Sequence, residues 1–477
     1  MKKGITKRKD DYAQWYLDVI AEADLAEHAP VKGCMIIKPY GYAIWENIQR
    51  VLDAAIKATG VKNAYFPLFI PKSFLEREKK HVKGFAPEFI TVTHAGGKKL
   101  DEPLIIRPTS ETVIYEVFSK WIKSYRDLPL LINQWANIAR WELRPRLFLR
   151  TIEFLWQEGH TVHSTEEEAE AKAREMLEIY TSFAENYLAL PVIPGVKTET
   201  EKFPGAVRTY CVESMMQDGK ALQAGTSHML GQNFAKVFNV KFLGEDGVEH
   251  YGWQTSWGVS TRLIGALIMA HSDDKGLVLP PQIAPIQVVI IPVWVGEEER
   301  EKVFAKAVLI AQNLQEAHGI NIEIDKRETM RPGAKFFEWE KKGVPIRIEI
   351  GPKDIAKKSV IVVRRDTSEK ESVIEGKIIS RVGKTLNEIQ DSLFSKALTF
   401  QRDNSYIIDS WDEFKAIIGK GGFVYAHWCE NADCEAKVKE ETKATIRNIP
   451  LNQREEKGKC IFCDKPSNGH VIFAKAY

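Results

Sequence analysis

No apolar run approaches the ~20 residues that a membrane-spanning helix needs; the longest candidate, Pro285 to Val295, suits a buried strand instead. Charge of one sign is also missing. Sixty-seven Lys and Arg against 65 Asp and Glu leave a net +2, so no global basic field announces nucleic acid, and such a partner must be met by local patches. There is no GxxxxGK phosphate loop and no dinucleotide-type GxGxxG fingerprint, which excludes the two commonest Gly-rich nucleotide cradles. Internal repeats and low-complexity tracts are lacking too. The basic start, Met1 to Asp10, has no apolar core behind it, so no secretory signal is expected. Cysteines number only six, with Cys34 and Cys211 alone and Cys429, Cys434, Cys460 and Cys463 crowded near the end.

What is present suits a large folded chain. Its 477 residues predict about three domains, and 44% hydrophobic with 28% charged residues is an ordinary globular balance. Ile44, Ile48, Leu52 and Ala55 recur at helical spacing before Gly60, and Ala64 to Ile70 reads as β-prone. Thr165 with Glu168 makes a capping box for a helix lined by Ala169, Ala173, Met176, Tyr180, Phe183 and Tyr187. Aromatic-rich strands are expected at Asn133 to Trp141, Phe148 to Gln157 and His250 to Trp257, which suggests an antiparallel α+β domain over residues 1–283. Leu279-Pro280-Pro281 forms the linker. Beyond it, β-α-β-α-β order with strands at Ile286 to Val295, Ile320 to Ile324 and Val344 to Ile350 predicts a small α/β domain with a largely parallel sheet over 284–395. Residues 396–477 make a third domain. Helix starts are read at Thr385 with Glu388 and at Ser410 with Glu413, ahead of a strand from Phe423 into Cys429.

Cys429-x4-Cys434 and Cys460-x2-Cys463 are two close pairs, each able to turn two sulfurs toward one point. Four thiolates complete a closed tetrahedral Zn²⁺ shell with no place for water, so a structural zinc is expected. Buried or disulfide-paired cysteines are the plainer alternative. His427 and His470 lie close enough in sequence to substitute for a ligand.

Four stretches of the first domain are dense in arginine, glutamate and hydroxyls: Arg107-Pro108-Thr109-Ser110-Glu111, Arg140-Trp141-Glu142, Arg150 through His160 (RTIEFLWQEGH) and Gly258 through Arg262 (GVSTR). Singly each is weak, since an isolated Arg-x-Glu is most often a solvated pair. In this order they resemble the signature of class II aminoacyl-tRNA synthetases, and specifically the prolyl family of archaeal and eukaryotic type. Pro67 stands where the first motif has its proline; Thr109-Ser110-Glu111 is similar to the amino-acid loop of the prolyl group and FLWQEGHT to its hallmark. The likeness extends over essentially the whole chain.

That resemblance implies a ligase that joins L-proline to tRNA(Pro) through a prolyl-adenylate, releasing AMP and diphosphate. It assigns Arg140 the catalytic bridge between the proline carboxylate and the α-phosphate, where a planar guanidinium can bond both anions. Thr109 and Glu111 would accept from the proline amine, and Trp156, Glu158, His160 and His228 would shape the ring pocket, Trp156 serving pocket or core equally well. Arg150 and Thr151 would reach the terminal phosphates or the adenine edge, Glu142 would accept from the adenine amino group, and Phe154 and Arg262 would sandwich the base. Gln223, Thr226 and Ser260 complete the implied ATP contacts, with Mg²⁺ on the phosphates.

Further along, Gly333 to Asp354 looks like the core of a class IIa anticodon-binding domain, with Glu340, Arg347 and Lys353 as the implied base contacts. The local surplus of four cations over Asn321 to Asp366 is modest and would not by itself indicate RNA. The fold implied is an antiparallel-sheet class II catalytic domain, an α/β anticodon-binding domain and a small zinc-binding α/β C-terminal domain. The family also implies a cytoplasmic homodimer without membrane attachment. The run Phe473 to Tyr477 matches the family ending, and its carboxylate is expected to dock near the catalytic domain. Between His160 and Gln223 there is no room for a large editing insertion.

Overall fold

The computed structural model describes residues 4–74, 76, 89–453 and 455–477; Met1 to Lys3, at the head of the basic start, lie outside them. Among the described residues the catalytic part is built on consecutive antiparallel strands. In spatial order these are Ile193–Val196, Arg208–Met215, Ala221–Gly231, Trp253–Ser260, Glu153–His163 and Leu130–Ala139, with Lys62–Asn63 added in parallel at the edge. The expected antiparallel α+β domain is therefore present. Strand positions shifted, however. The 148–157 expectation gives way to Glu153–His163, because the chain turns at Phe148, which adopts a left-handed φ of 62°. Ala64 to Ile70 is mostly irregular, pairing only at its ends.

The helix Glu166–Asn186 forms as its pattern predicts. The Thr165 side chain accepts from the Glu168 amide, while Glu168 reaches back to the Ser164 amide rather than to that of Thr165. Three glutamates in its first turn suit the positive end of the helix. Ala169, Ala173, Met176, Tyr180 and Phe183 bury its inner face against the sheet, in a core shared with Trp15, Ile48, Leu52 and Leu267.

The second domain has the sheet order Ile322–Ile324, Val288–Pro292, Ile346–Ile350, Ser359–Arg364, Lys370–Ile374. Its first two pairings are parallel and its last two antiparallel, so the sheet is mixed rather than largely parallel. The expected helix start at Thr385 lies inside one long helix, Ile378–Asp403. There Thr385 Oγ1 donates to the Arg381 carbonyl one turn back (2.8 Å), and Glu388 pairs with Arg364 and Arg381. The boundary read at residue 395 falls within this helix.

The C-terminal strands Ser405–Ile407, Phe423–His427, His470–Ala474 and Thr445–Pro450 do not stand apart. Thr445–Pro450 pairs with Ile193–Val196, placing Ile449 opposite Val196, so among the described residues catalytic and C-terminal strands form one eleven-stranded sheet. A buried ion cluster locks this seam: Lys197 and Arg447 both bond the fully buried Glu213, at 2.7 and 3.0 Å.

Candidate active site

Strand alternation assembles the site. Successive side chains of a strand point to opposite faces, so Phe154, Trp156, Glu158 and His160 share one face while Gln157 and Gly159 share the other. The register then places His160 opposite Ser256, which faces His228 on its other side; Glu158 lies opposite Gly258 and Thr226 beyond it; Trp156 lies opposite Ser260. On the reverse face Tyr180 donates to Gln157 (2.7 Å), and the Trp257 ring lies directly over Gly159.

This face floors a cavity of about 330 Å³. Thr109, Glu111, Arg140, Phe154, Trp156, Glu158, His160, Gln223, Thr226, His228, Ser260 and Arg262 line it together. Glu142, Arg150 and Thr151 are not among its lining residues. Glu142 accepts from the Arg144 amide (2.9 Å) and faces the Arg150 guanidinium at 3.7 Å, while Thr151 donates to the Glu153 carbonyl (2.8 Å). Lys197, Glu201, Lys202, Phe203, Pro204 and Thr209 also line the cavity and escaped sequence reasoning. All but Thr209 lie in the run KTETEKFP, which reads as a solvated loop; Phe203 following six polar residues was the available signal.

Hydrogen bonding divides the carboxylates by role. Glu158 is spoken for: Ser110 Oγ and Gln134 Nε2 each donate to its Oε1 at 2.5 Å, and His160 Nε2 lies 3.0 Å from Oε2. Burial alone would raise the Glu158 carboxyl, yet His160, Ser110 and Gln134 together hold it below its usual value. Burial likewise works against charge on His160, but Glu158 overcomes it and raises the imidazole. His228 has no such partner. Burial, followed by the charge of His160, pushes it down to about 3, and it stays neutral with Thr209 Oγ1 3.0 Å from its Nδ1 and the Phe203 ring stacked on it at 4.7 Å. Glu111, at the start of the helix Glu111–Trp121, accepts from a local hydroxyl, that of Thr109.

Cationic groups gather at the other end. Arg140 is anchored through Nε to the Pro108 carbonyl (2.8 Å), and its guanidinium lies 5.9 Å from the Phe154 ring and 5.5 Å from that of Trp156. Burial and then the charges of Arg140 and Arg150 push Arg262 down to about 10, still cationic at neutral pH. Mutually repelling guanidiniums beside an open aromatic face describe a site for a polyanion carrying a planar ring. The Trp156 indole N–H is buried without a partner.

Two other groups of expected residues lie away from this cavity. The Sγ atoms of Cys429, Cys434, Cys460 and Cys463 lie within 4.8 Å of one another, with Cys429 and Cys463 3.6 Å apart and every cysteine free. A tetrahedral ZnS₄ unit with ~2.3 Å bonds needs sulfurs about 3.8 Å apart, so this donor set fits zinc. His427 and His470, opposite each other on neighbouring strands, group with Asp409 instead of with the sulfurs. At the junction of the first two domains, a cavity of about 470 Å³ takes Glu340 and Arg347 into its wall, whereas Lys353 projects from the short helix Pro352–Ala356 outside it. Arg347 already bonds Glu349 (2.9 Å) and lies 4.6 Å from the Phe336 ring. The C-terminal tail docks on the catalytic sheet: Tyr477 donates to Asp218 (2.6 Å), and Arg146 of the 140–150 loop lies 6.0 Å from its ring.

Comparison with known proteins finds three family matches along the chain. Residues 92–271 match the family described as tRNA synthetase class II core domain (G, H, P, S and T), residues 287–385 the anticodon binding domain, and residues 411–477 the C-terminal domain of prolyl-tRNA synthetase. The chain is 54% identical to a proline–tRNA ligase of Porphyromonas gingivalis, covering 100% of this chain and 99% of that one. It is 56% identical to the corresponding ligase of Chlorobaculum tepidum, covering 100% of both. A crystal structure of prolyl-tRNA synthetase from Cryptosporidium parvum, complexed with halofuginone and AMPPNP, superposes with a TM-score of 0.94 at 44% identity, covering 99% of this chain and 97% of that one.

Proposed function

The chain belongs to the prolyl-tRNA synthetase family, and from that premise we propose how its cavity carries out the family's reaction. The activity is ATP-dependent ligation of L-proline to tRNA(Pro). Proline is a zwitterion with a compact apolar ring. Glu111 and Thr109 take its secondary ammonium, Arg140 its carboxylate, and Trp156, His160 and His228 enclose the ring, with Glu158 holding His160 in place. A neutral His228 suits this role, because a second cation beside the ammonium would oppose binding.

ATP enters as its Mg²⁺ complex, the metal being part of the substrate. The adenine lies between Phe154 and Arg262, with Gln223, Thr226 and Ser260 along the nucleotide and Arg150, Glu142 and Thr151 closing from the loop. A proline carboxylate oxygen forms a bond to the α-phosphorus as the bond to pyrophosphate breaks. Arg140 lowers the repulsion between the two anions and holds them in line. A ribose hydroxyl at the tRNA 3′ end then attacks the prolyl carbonyl and AMP leaves. The observation that carries this reading is the position of Arg140, whose guanidinium stands beside Phe154 and Trp156 in the same cavity as Glu111. Arg140→Ala is expected to abolish proline-dependent pyrophosphate exchange; retained exchange would refute the assignment.

Glu340, Arg347 and Lys353 are the proposed anticodon contacts, supported by the junction cavity that holds the first two. A structural zinc would be held by the four cysteines, cross-linking the strand end at Cys429 to the helix start at Cys434 and to the 460–463 turn. A homodimer is supported by exposed aromatics around Pro67, with Tyr65 71%, Phe69 48% and Trp121 49% accessible. Among the described residues no helix is long and apolar enough to cross a membrane, which accords with the cytoplasmic location proposed.

A further inference from the structure

The amino-acid end of the cavity is roofed by the segment 197–204, which links the strands Ile193–Val196 and Arg208–Met215. This segment is anchored at its start by Lys197 on Glu213 and near its end by Phe203, which packs beside Phe234. Its local bonds, from the Glu201 and Lys202 amides to the Thr198 carbonyl, only set a turn. Yet it carries Phe203, whose ring stacks on His228, and the Phe203 amide donates to Thr209 Oγ1 (2.9 Å), the same hydroxyl that meets His228 Nδ1. Wherever this segment sits, the roof and one wall of the pocket follow.

Its outer side is gripped from the C-terminal domain. Thr198 Oγ1 donates to Glu435 Oε1 (2.8 Å) and Thr200 Oγ1 to Glu435 Oε2 (2.5 Å). Lys439, one turn further along the same helix Ala432–Thr442, pairs with Glu201 at 3.0 Å. Glu435 is 5% exposed. A carboxylate buried on two hydroxyls, without a cation on either oxygen in those bonds, is costly for mere stability. Each of its oxygens is committed to a different residue of the roof.

We propose that Glu435 is a positioning residue for proline, fixing the 197–204 segment so that Phe203 and His228 close over the bound ring. The inference rests on the assignment of this end of the cavity to the amino acid. It couples a domain remote in sequence to substrate affinity, without that domain touching substrate.

The test is pyrophosphate exchange with proline and ATP varied separately, in the full chain. Glu435→Ala is expected to raise the KM for proline about tenfold, roughly the net worth of one charge-assisted hydrogen bond, with the KM for ATP and kcat changed less than about twofold. Glu435→Gln keeps one acceptor and should recover part of the loss. Amide hydrogen exchange should quicken over residues 198–206 in Glu435→Ala and stay unchanged in the central strands. An unchanged KM for proline, or equal changes for both substrates, overturns the proposal. Should Glu435→Ala fail to fold, Thr198→Val with Thr200→Val removes the same bonds from the other side, and the same two outcomes decide. Phe203→Ala separates the two levels. If it leaves the KM for proline unchanged, the pocket assignment fails; if it raises that KM while Glu435→Ala does not, only the positioning role fails.

Discussion

Replacing Gly159 with alanine probes the junction of fold and site most sharply. A Cβ at this position would lie 2.0 Å from Trp257 Cη2 and 2.2 Å from Cζ2 and Cζ3. Carbon atoms in contact stand ~3.5–4.0 Å apart, so the indole must retreat by about 1.5 Å or the two strands must part. Trp257 is buried in the main core, sits directly opposite Gly159 in the register and has little space to yield. Overpacking by one carbon costs about 1–3 kcal/mol, and a rigid ring puts this case at the upper end. For a catalytic domain of this size that is a fall in melting midpoint of roughly 4–5 °C. Because Glu158 and His160 flank the site, the KM for proline should rise with the loss of stability. Melting curves together with exchange kinetics measure both. Trp257→Leu combined with Gly159→Ala should be less destabilising than the sum of the two single changes, since each relieves the other. A Gly159→Ala protein that melts within about 1 °C of the parent with unaltered proline affinity would refute the packing argument.

Glu213→Gln leaves Lys197 and Arg447 facing each other in the buried seam, so unfolding in urea should show a loss of about 3–5 kcal/mol; a change below about 1 kcal/mol would mean the seam is open to water. Burial pushes His163 and His271 down to about 4, as it does His228 to about 3. Such groups bind more protons unfolded than folded below 6.5, so stability falls with acidification, by about 1.3 kcal/mol each between pH 7.5 and 5.5. His160 acts in the opposite sense. Its raised value gives stability that is full below 6.5 and lost as pH rises through that value, so His160→Gln should steepen the acid decline of the melting midpoint, and an unchanged slope would contradict the sign. Elemental analysis of the purified chain should find one zinc per molecule, absent in Cys434→Ser; a metal-free, fully folded parent would remove the ZnS₄ assignment.

Much of the cavity was legible only through family likeness, since Phe154, Trp156, Glu158 and His160 lie in the run similar to the prolyl hallmark; their alternate positions on one strand explain why they share a face, and the register brings Ser260 and His228 to them. The cysteine quartet was legible from the residues themselves, since short spacings restrict where sulfurs can point. Three things were not. The 197–204 roof is largely polar and bonds to Glu435, some 235 residues away, a relation that no local pattern encodes. The pairing of Thr445–Pro450 with Ile193–Val196 is a backbone contact between strand edges and carries no periodicity of its own. Thr385 and Glu388 imitate a helix start, yet the threonine hydroxyl bonds back into a helix already under way. Glu142, Arg150 and Thr151 bond locally and do not line the cavity, and their expected role came from family likeness alone.

The most direct test is a crystal structure with a non-hydrolysable prolyl-adenylate analogue, 5′-O-(N-prolylsulfamoyl)adenosine. The prolyl ammonium is expected on Glu111 and Thr109, the ring under Phe203 and His228, the sulfamoyl group on Arg140 and the adenine between Phe154 and Arg262. An analogue bound with its adenine at the His228 end, or with Arg140 turned away from the sulfamoyl oxygens, would contradict this placement.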